Sequence, residues 1–243
     1  MDLSKEFPIE SQTSLNDKVV LLKIRDILQR NPSYNYLEIG SFLGGSLTPF
    51  LQDEKCERVL SIDERGRAQP DERGALYDYA GITHQTMIDN LHGVGLNTQK
   101  LTTFDGSIDD FTEVAEKYDF AFIDGEHTDF ACFRDFIHCE RLLKQDHIVA
   151  FHDSTFIYKS LKIIIELLKA KEHTFKFIKV IDAEVSVILS GSYCDLDESQ
   201  YFAAEPDLED FFRRSEDKLL MLAIQHRIDF NYTLKERPVL KAT

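Results

Sequence analysis

Short apolar runs alternate with amphipathic ones along most of this chain, and that rhythm restricts the fold more than any other feature. An apolar run of strand length, best seen at Phe120–Ile123, suits a strand covered on both faces. The amphipathic runs repeat their apolar residues at helical spacing. A parallel sheet with crossover helices satisfies both patterns. Strands are expected at Tyr34–Ile39, Arg58–Ile62, Lys100–Phe104, Phe120–Ile123 and Ile148–Phe151. Helices are expected over Leu15–Gln29 (stopped by Asn31-Pro32), from Ser46 to Gln52, around Thr86–Leu91 (closed by Gly93 and Gly95), through Phe111 and Val114, and over Phe130–Leu143 and Tyr158–Leu168. The polar stretch Glu64–Ala80 breaks the rhythm with Gly66, Pro70 and Gly74, and reads as a long excursion able to serve as a lid.

The last two apolar runs, Phe175–Val180 and Val185–Leu189, are joined only by Ile181–Glu184. A parallel pair needs a crossover of about a dozen residues, so these two must form an antiparallel hairpin at one sheet edge. The fold class is therefore α/β: a doubly wound, mostly parallel, seven-stranded sheet with a C-terminal antiparallel hairpin. Pro206–Ile228 reads as an amphipathic helix whose stripe (Leu208, Phe211, Phe212, Leu219, Leu222) suits a cap or a homodimer contact. Three parts are expected: an N-terminal helical extension over 1–33, a core over 34–190 and a C-terminal helical extension over 191–243.

Composition narrows the partners. The formal charge of −15 repels phosphate backbones, and no basic patch offsets it, which argues against a nucleic-acid partner. No apolar stretch is long enough for a membrane span, and the N-terminus lacks a signal-peptide profile, so a cytoplasmic protein is expected. The four cysteines, Cys56, Cys132, Cys139 and Cys194, are too scattered for a disulfide framework and read as buried thiols.

Ligands of open α/β sheets bind beyond the carboxyl ends of the strands, so the residues that terminate each strand carry the functional argument. The first strand runs into Glu38-Ile39-Gly40-Ser41-Phe42-Leu43-Gly44-Gly45-Ser46, a loop whose glycines allow tight turning and close approach to a ligand. A plain Gly-rich turn is its bland alternative. The spacing differs from the dinucleotide GxGxxG. An acidic Glu38 beside the loop suits an ammonium-bearing ligand such as S-adenosylmethionine (SAM) better than the pyrophosphate of NAD. The second strand ends in Asp63, placed to accept ribose hydroxyls or to cap a helix. The third ends in Asp105-Gly106-Ser107, where an adenine edge would sit or where Ser107 would cap the next turn.

The fourth strand ends in Asp124-Gly125-Glu126-His127 and the fifth in His152-Asp153-Ser154. As neighbours, these ends bring Asp124, His152 and Asp153 into one crevice, which can hold a hard divalent cation such as Mg²⁺ or transfer protons without one. Helix capping by Asp124 and burial of a satisfied His152 are the structural alternatives.

YDFAFIDGEHTDFACFRDF followed by LLKQDHIVAFHDS resembles the IDGDH…HD signature of a class I SAM-dependent methyltransferase group related to cephalosporin-hydroxylase-like and macrolide-sugar O-methyltransferases. With YLEIGSFLGGS and VLSID, the resemblance spans Tyr34 to Leu189, and a Rossmann-like sheet ending in a hairpin is the strand plan it implies. It implies SAM bound by Glu38, Gly40, Ser41, Gly44, Ser46, Asp63, Asp105, Gly106, Ser107 and Asp124. It further implies His127 as general base and Mg²⁺ on Asp124 and Asp153. The chain departs from the pattern where His152-Asp153 replaces an acidic pair, which puts a nitrogen, His152, in the metal set. A small-molecule acceptor follows, sugar hydroxyls by resemblance alone, with Arg65, Arg67 and Arg73 of the excursion as grips for it or as a solvated loop face. An NAD-dependent oxidoreductase and a SAM-binding protein without chemistry are the alternatives.

Overall fold

The computed structural model describes residues 2–112, 116–233 and 239–241, with side chains described as far as residue 225. A seven-stranded sheet is built from β1 (Tyr34–Ile39), β2 (Cys56–Asp63), β5 (Leu101–Asp105), β6 (Tyr118–Ile123), β7 (Leu143–Phe151), β8 (Phe175–Lys179) and β9 (Ser186–Ser190), in the order β5-β2-β1-β6-β7-β9-β8. The first five are parallel, and β9 runs antiparallel to both β7 and β8. The hairpin thus sits at the expected edge, with its second strand inserted against β7. Strand order reverses at β1/β6, which opens a crevice beyond their carboxyl ends.

Each face of the sheet is covered. On β1, Tyr34 and Tyr36 pack with Phe50 and Phe120 beneath α2 (Leu15–Leu28), α3 (Thr48–Gln52) and α4 (His84–Gly93). Leu37 and Ile39 point the other way, into a second cluster with α5 (Asp129–Glu140), α6 (Tyr158–Ala170) and α7 (Leu208–Thr233). A short helix, α1 (Leu3–Glu6), precedes α2. Among the described residues, no helix is long and apolar enough to cross a membrane.

The structure departs from expectation at three places. The excursion is not bare loop: β3 (Ala68–Pro70) and β4 (Leu76–Asp78) pair antiparallel, and β10 (Val239–Lys241) pairs parallel with β4. In place of a helix through Phe111 there is a single 3-10 turn, Ile108–Asp110, because Ile108 and Phe111 already bury against Phe104; Val114 lies outside the described residues. Helix α5 stops at Glu140 and Leu143 opens β7 instead. On α7, Phe211, Phe212 and Leu219 are buried against their own chain, as a cap would be, while Leu220, Met221 and Ile224 are exposed. Cys56, Cys132 and Cys139 are buried free thiols, and Cys194 is partly exposed.

Candidate active site

The loop after β1 forms the floor of the crevice. Gly40 takes a left-handed φ of 86°, and a Cβ there would overlap the backbone carbonyl of Asp124. Only glycine lets the β1 and β6 loops meet so closely. A Cβ on Gly45 would lie 2.7 Å from Ser11 Cβ, because the segment before α2 lies across the loop. The crevice encloses about 580 Å³ of space, counting the solvent at its mouth, and is lined by Ser11, Gln12, Thr13, Gly40, Ser41, Phe42, Ser46, Asp63, Arg65, Tyr79, Asp124 and His127, among others. A second, shallow hollow adjoins it through Gly40, Asp63, Gln69 and Gly125, and reaches Gly106, Ser107 and Ile108.

Asp63 accepts the Phe42 N–H at 2.8 Å, and burial raises its carboxyl above the usual range. Arg65 is not a solvated loop residue. Its side chain is only 4% exposed, 3.7 Å from Asp63 and 2.5 Å from Asp105, and it donates to Ser41 Oγ at 2.7 Å. Arg73 pairs with Asp71 and lies 4.2 Å over the Phe156 ring, and Arg67 pairs with Glu64 and Glu126.

Glu38 is placed differently from expectation. Strand alternation puts it on the same face as Tyr36, wholly buried beneath the loop, where Tyr36 Oη donates to it at 2.5 Å and Ser46 Oγ also donates. Burial pushes its carboxyl up to about 8. It braces the loop and does not line the cavity; Gly44 likewise packs against Met87 and Leu91.

The chemical end assembles as expected. Asp124 directly follows β6, and His152 and Asp153 directly follow the neighbouring β7. Asp153 adopts a left-handed φ of 52°, which breaks the strand alternation and lets consecutive side chains enter one cluster. His127 Nε2 lies 3.1 Å from Asp153 Oδ2 and 3.9 Å from Asp124 Oδ1. His152 Nδ1 lies 2.9 Å from Asp124 Oδ1 and 3.3 Å from Asp153 Oδ2. Burial drives the Asp153 carboxyl upward, but His127, His152 and Arg73 outweigh it and hold it well below its ordinary range. Burial, with the nearby Asp153 charge added, raises the Asp124 carboxyl, partly opposed by the two histidines.

Sequence reasoning missed several residues here. Ser11, Gln12 and Thr13 line the cavity from the N-terminal segment, and Tyr79 closes it from the excursion, with its ring edge-on to Phe42 at 5.8 Å and its hydroxyl 3.2 Å from Gln12 Oε1. Asp17 of α2 reaches His152 Nε2 at 3.2 Å. The signal at hand for Asp17 was the Ser14–Asp17 capping box, which says nothing of a site.

Residues 37–154 match the family model described as a methyltransferase domain. Over that stretch the chain is similar to methyltransferase domains. The match runs from β1 to just past Asp153, so it takes in Gly40, Asp63, Asp124, His127 and His152, and it speaks against the oxidoreductase alternative. Two solved structures share the methyltransferase fold. The O-methyltransferase NovP aligns at a TM-score of 0.55 and 12% identity, over 70% of this chain and 77% of its own. The O-methyltransferase TomG of Streptomyces achromogenes, involved in tomaymycin synthesis and solved in complex with SAM, aligns at 0.53 and 13% identity, over 78% and 86%. A curated relative, an uncharacterized protein of Acanthamoeba polyphaga mimivirus, is 27% identical over 119 residues, 49% of this chain. The chain spans half the length of that relative.

Proposed function

We propose that this methyltransferase transfers the methyl group of SAM to a hydroxyl of a small molecule, sugar or natural product, with a divalent cation held by Asp124, His152 and Asp153. The observation that carries the reading is the convergence of Gly40, Asp63 and Asp124 on one crevice at the strand-order reversal, with His127 on its wall. Bound SAM supplies an activated methyl on sulfur, which leaves the protein to position the acceptor and take its proton.

Asp63 borders both hollows, which supports it as the acceptor for ribose hydroxyls, and Gly106 and Ser107 border the hollow that would take the adenine. His127 reaches the cavity and is oriented by Asp153, whose carboxylate stabilises the imidazolium formed when the ring takes the acceptor proton. Arg65, tied to Asp63, Asp105 and Ser41, borders the same cavity and is available to an anionic group of either substrate.

The donor set fits a divalent cation. Among the described residues, Asp124, His152 and Asp153 place one donor atom each within 4.8 Å of one another, with the buried Nδ1 of His152 turned toward both carboxylates. A bound cation would lower the pKa of an acceptor hydroxyl. One imidazole among two carboxylates suits Mg²⁺ less well than three oxygens would, so Mn²⁺ belongs in the test.

Calorimetric titration with SAM, then radiolabelled methyl transfer to a panel of hydroxylated acceptors with and without Mg²⁺ or Mn²⁺, tests the proposal. Saturable SAM binding and label on oxygen are expected. No SAM binding, or transfer confined to amine acceptors, refutes it.

A further inference from the structure

We infer that Asp17, on α2 and outside the matched domain, is the positioning residue that fixes His152 for cation binding. The inference rests on the cation reading above. Asp17 is 1% exposed, although a capping acid needs no burial. Its carboxylate is clamped by two backbone amides from different parts of the chain: Oδ2 accepts the Ser14 N–H at 2.9 Å, and Oδ1 accepts the Glu184 N–H at 2.8 Å, from the turn between β8 and β9. Held on both sides, it cannot swing away from its third partner, His152 Nε2 at 3.2 Å.

The two ring nitrogens of His152 thereby receive different tasks. Nε2 faces a fixed carboxylate and carries the hydrogen. Nδ1 is buried and faces Asp124 and Asp153, at 2.9 and 3.3 Å, the carboxylates that would share the cation with it. A histidine that ligates a metal through one nitrogen commonly donates the other to a carboxylate, which sets its tautomer and makes it more basic. Asp17, His152 and the cation seat have that arrangement, and the helix that supplies Asp17 comes from the segment before the sheet.

Mn²⁺ is titrated calorimetrically into the full chain and into Asp17→Asn, Asp124→Asn and Ser14→Ala, with circular dichroism confirming the fold. Asp17→Asn is expected to weaken Mn²⁺ by about 10- to 100-fold. Ser14→Ala removes the helix cap without touching His152, so it should lower the melting temperature but leave Mn²⁺ affinity unchanged. Wild-type affinity in Asp17→Asn beside loss in Asp124→Asn overturns the role of Asp17 and keeps the cation reading. Equal weakening by Ser14→Ala reduces Asp17 to a helix anchor. Absence of Mn²⁺ binding in the wild type, or binding insensitive to Asp124→Asn, refutes both. Should Asp17→Asn fail to fold, nitrogen NMR of the Mg²⁺-saturated wild type decides. A hydrogen on Nε2 alone is expected, and one on Nδ1 overturns the assignment.

Discussion

Replacing Glu38 with Gln separates the two roles open to an acid beneath a cofactor loop. Its carboxyl is fully buried and stands at about 8 in the fold, against an ordinary 4.5. Because the folded value is the higher one, the folded protein keeps a proton that the unfolded chain gives up. The contribution of Glu38 to stability is therefore complete below about pH 4.5 and is lost as pH rises through about 8. Each pKa unit is worth about 1.4 kcal/mol, so the full shift corresponds to roughly 5 kcal/mol, most of it accrued between about pH 5 and pH 8. The amide of Gln stays neutral and can serve both hydroxyls, accepting from one of Tyr36 and Ser46 and donating to the other. Urea unfolding should find Glu38→Gln within about 1 kcal/mol of wild type near pH 5, and more stable by on the order of 3 kcal/mol near pH 8. SAM affinity should stay within about threefold, less than 1 kcal/mol, because the carboxyl does not line the cavity. A stability difference that ignores pH would show that the carboxyl is not held neutral. A SAM affinity lowered about tenfold or more would return Glu38 to the ligand.

His127→Ala should lower methyl transfer by about 10²- to 10⁴-fold with SAM affinity intact, and near-normal turnover in a radiolabel assay would remove His127 as the base. Asp63→Ala should weaken SAM by about 1.5–3 kcal/mol in calorimetry, the worth of a hydrogen bond to a charged group, and unchanged affinity would place the ribose elsewhere. Gly40→Ala should destabilise the fold by at least about 2 kcal/mol, since it combines a left-handed φ with overlap on the Asp124 carbonyl; a wild-type melting curve would deny that close approach. Phe120→Ala, in the stacked cluster with Tyr36 and Phe50, should cost about 3–5 kcal/mol in denaturant titrations, and a loss below about 1 kcal/mol would mean that the site can collapse.

What the sequence disclosed follows from how the information is stored. The parallel strands were legible because burial on both faces demands continuous apolar runs, and their ends located Gly40, Asp63, Asp124 and His127. The antiparallel pair was legible from a connection too short for anything else. The small sheet of the excursion was not, because three-residue strands such as Ala68–Pro70 are too short to show a period. The burial of Arg65 was hidden for a related reason: a polar neighbourhood reads as solvent-facing until a fold brings Asp63, Asp105 and Ser41 around it. The direction of Glu38 was readable in principle, since it shares the parity of Tyr36 along β1. Asp17 was not, because its function depends on a partner far along the chain.

The N-terminal strap has a practical corollary. Ile9, Glu10 and Ser11 press on Gly45, and Gln12 and Thr13 roof the hollow, yet all five precede the stretch that family matching recognises. A protein trimmed to the recognisable core would keep its glycine loop while losing the ceiling over it. Domain boundaries drawn by homology would therefore yield an open-topped binding site. The same core under a different leader would have a different vestibule above unchanged strand ends.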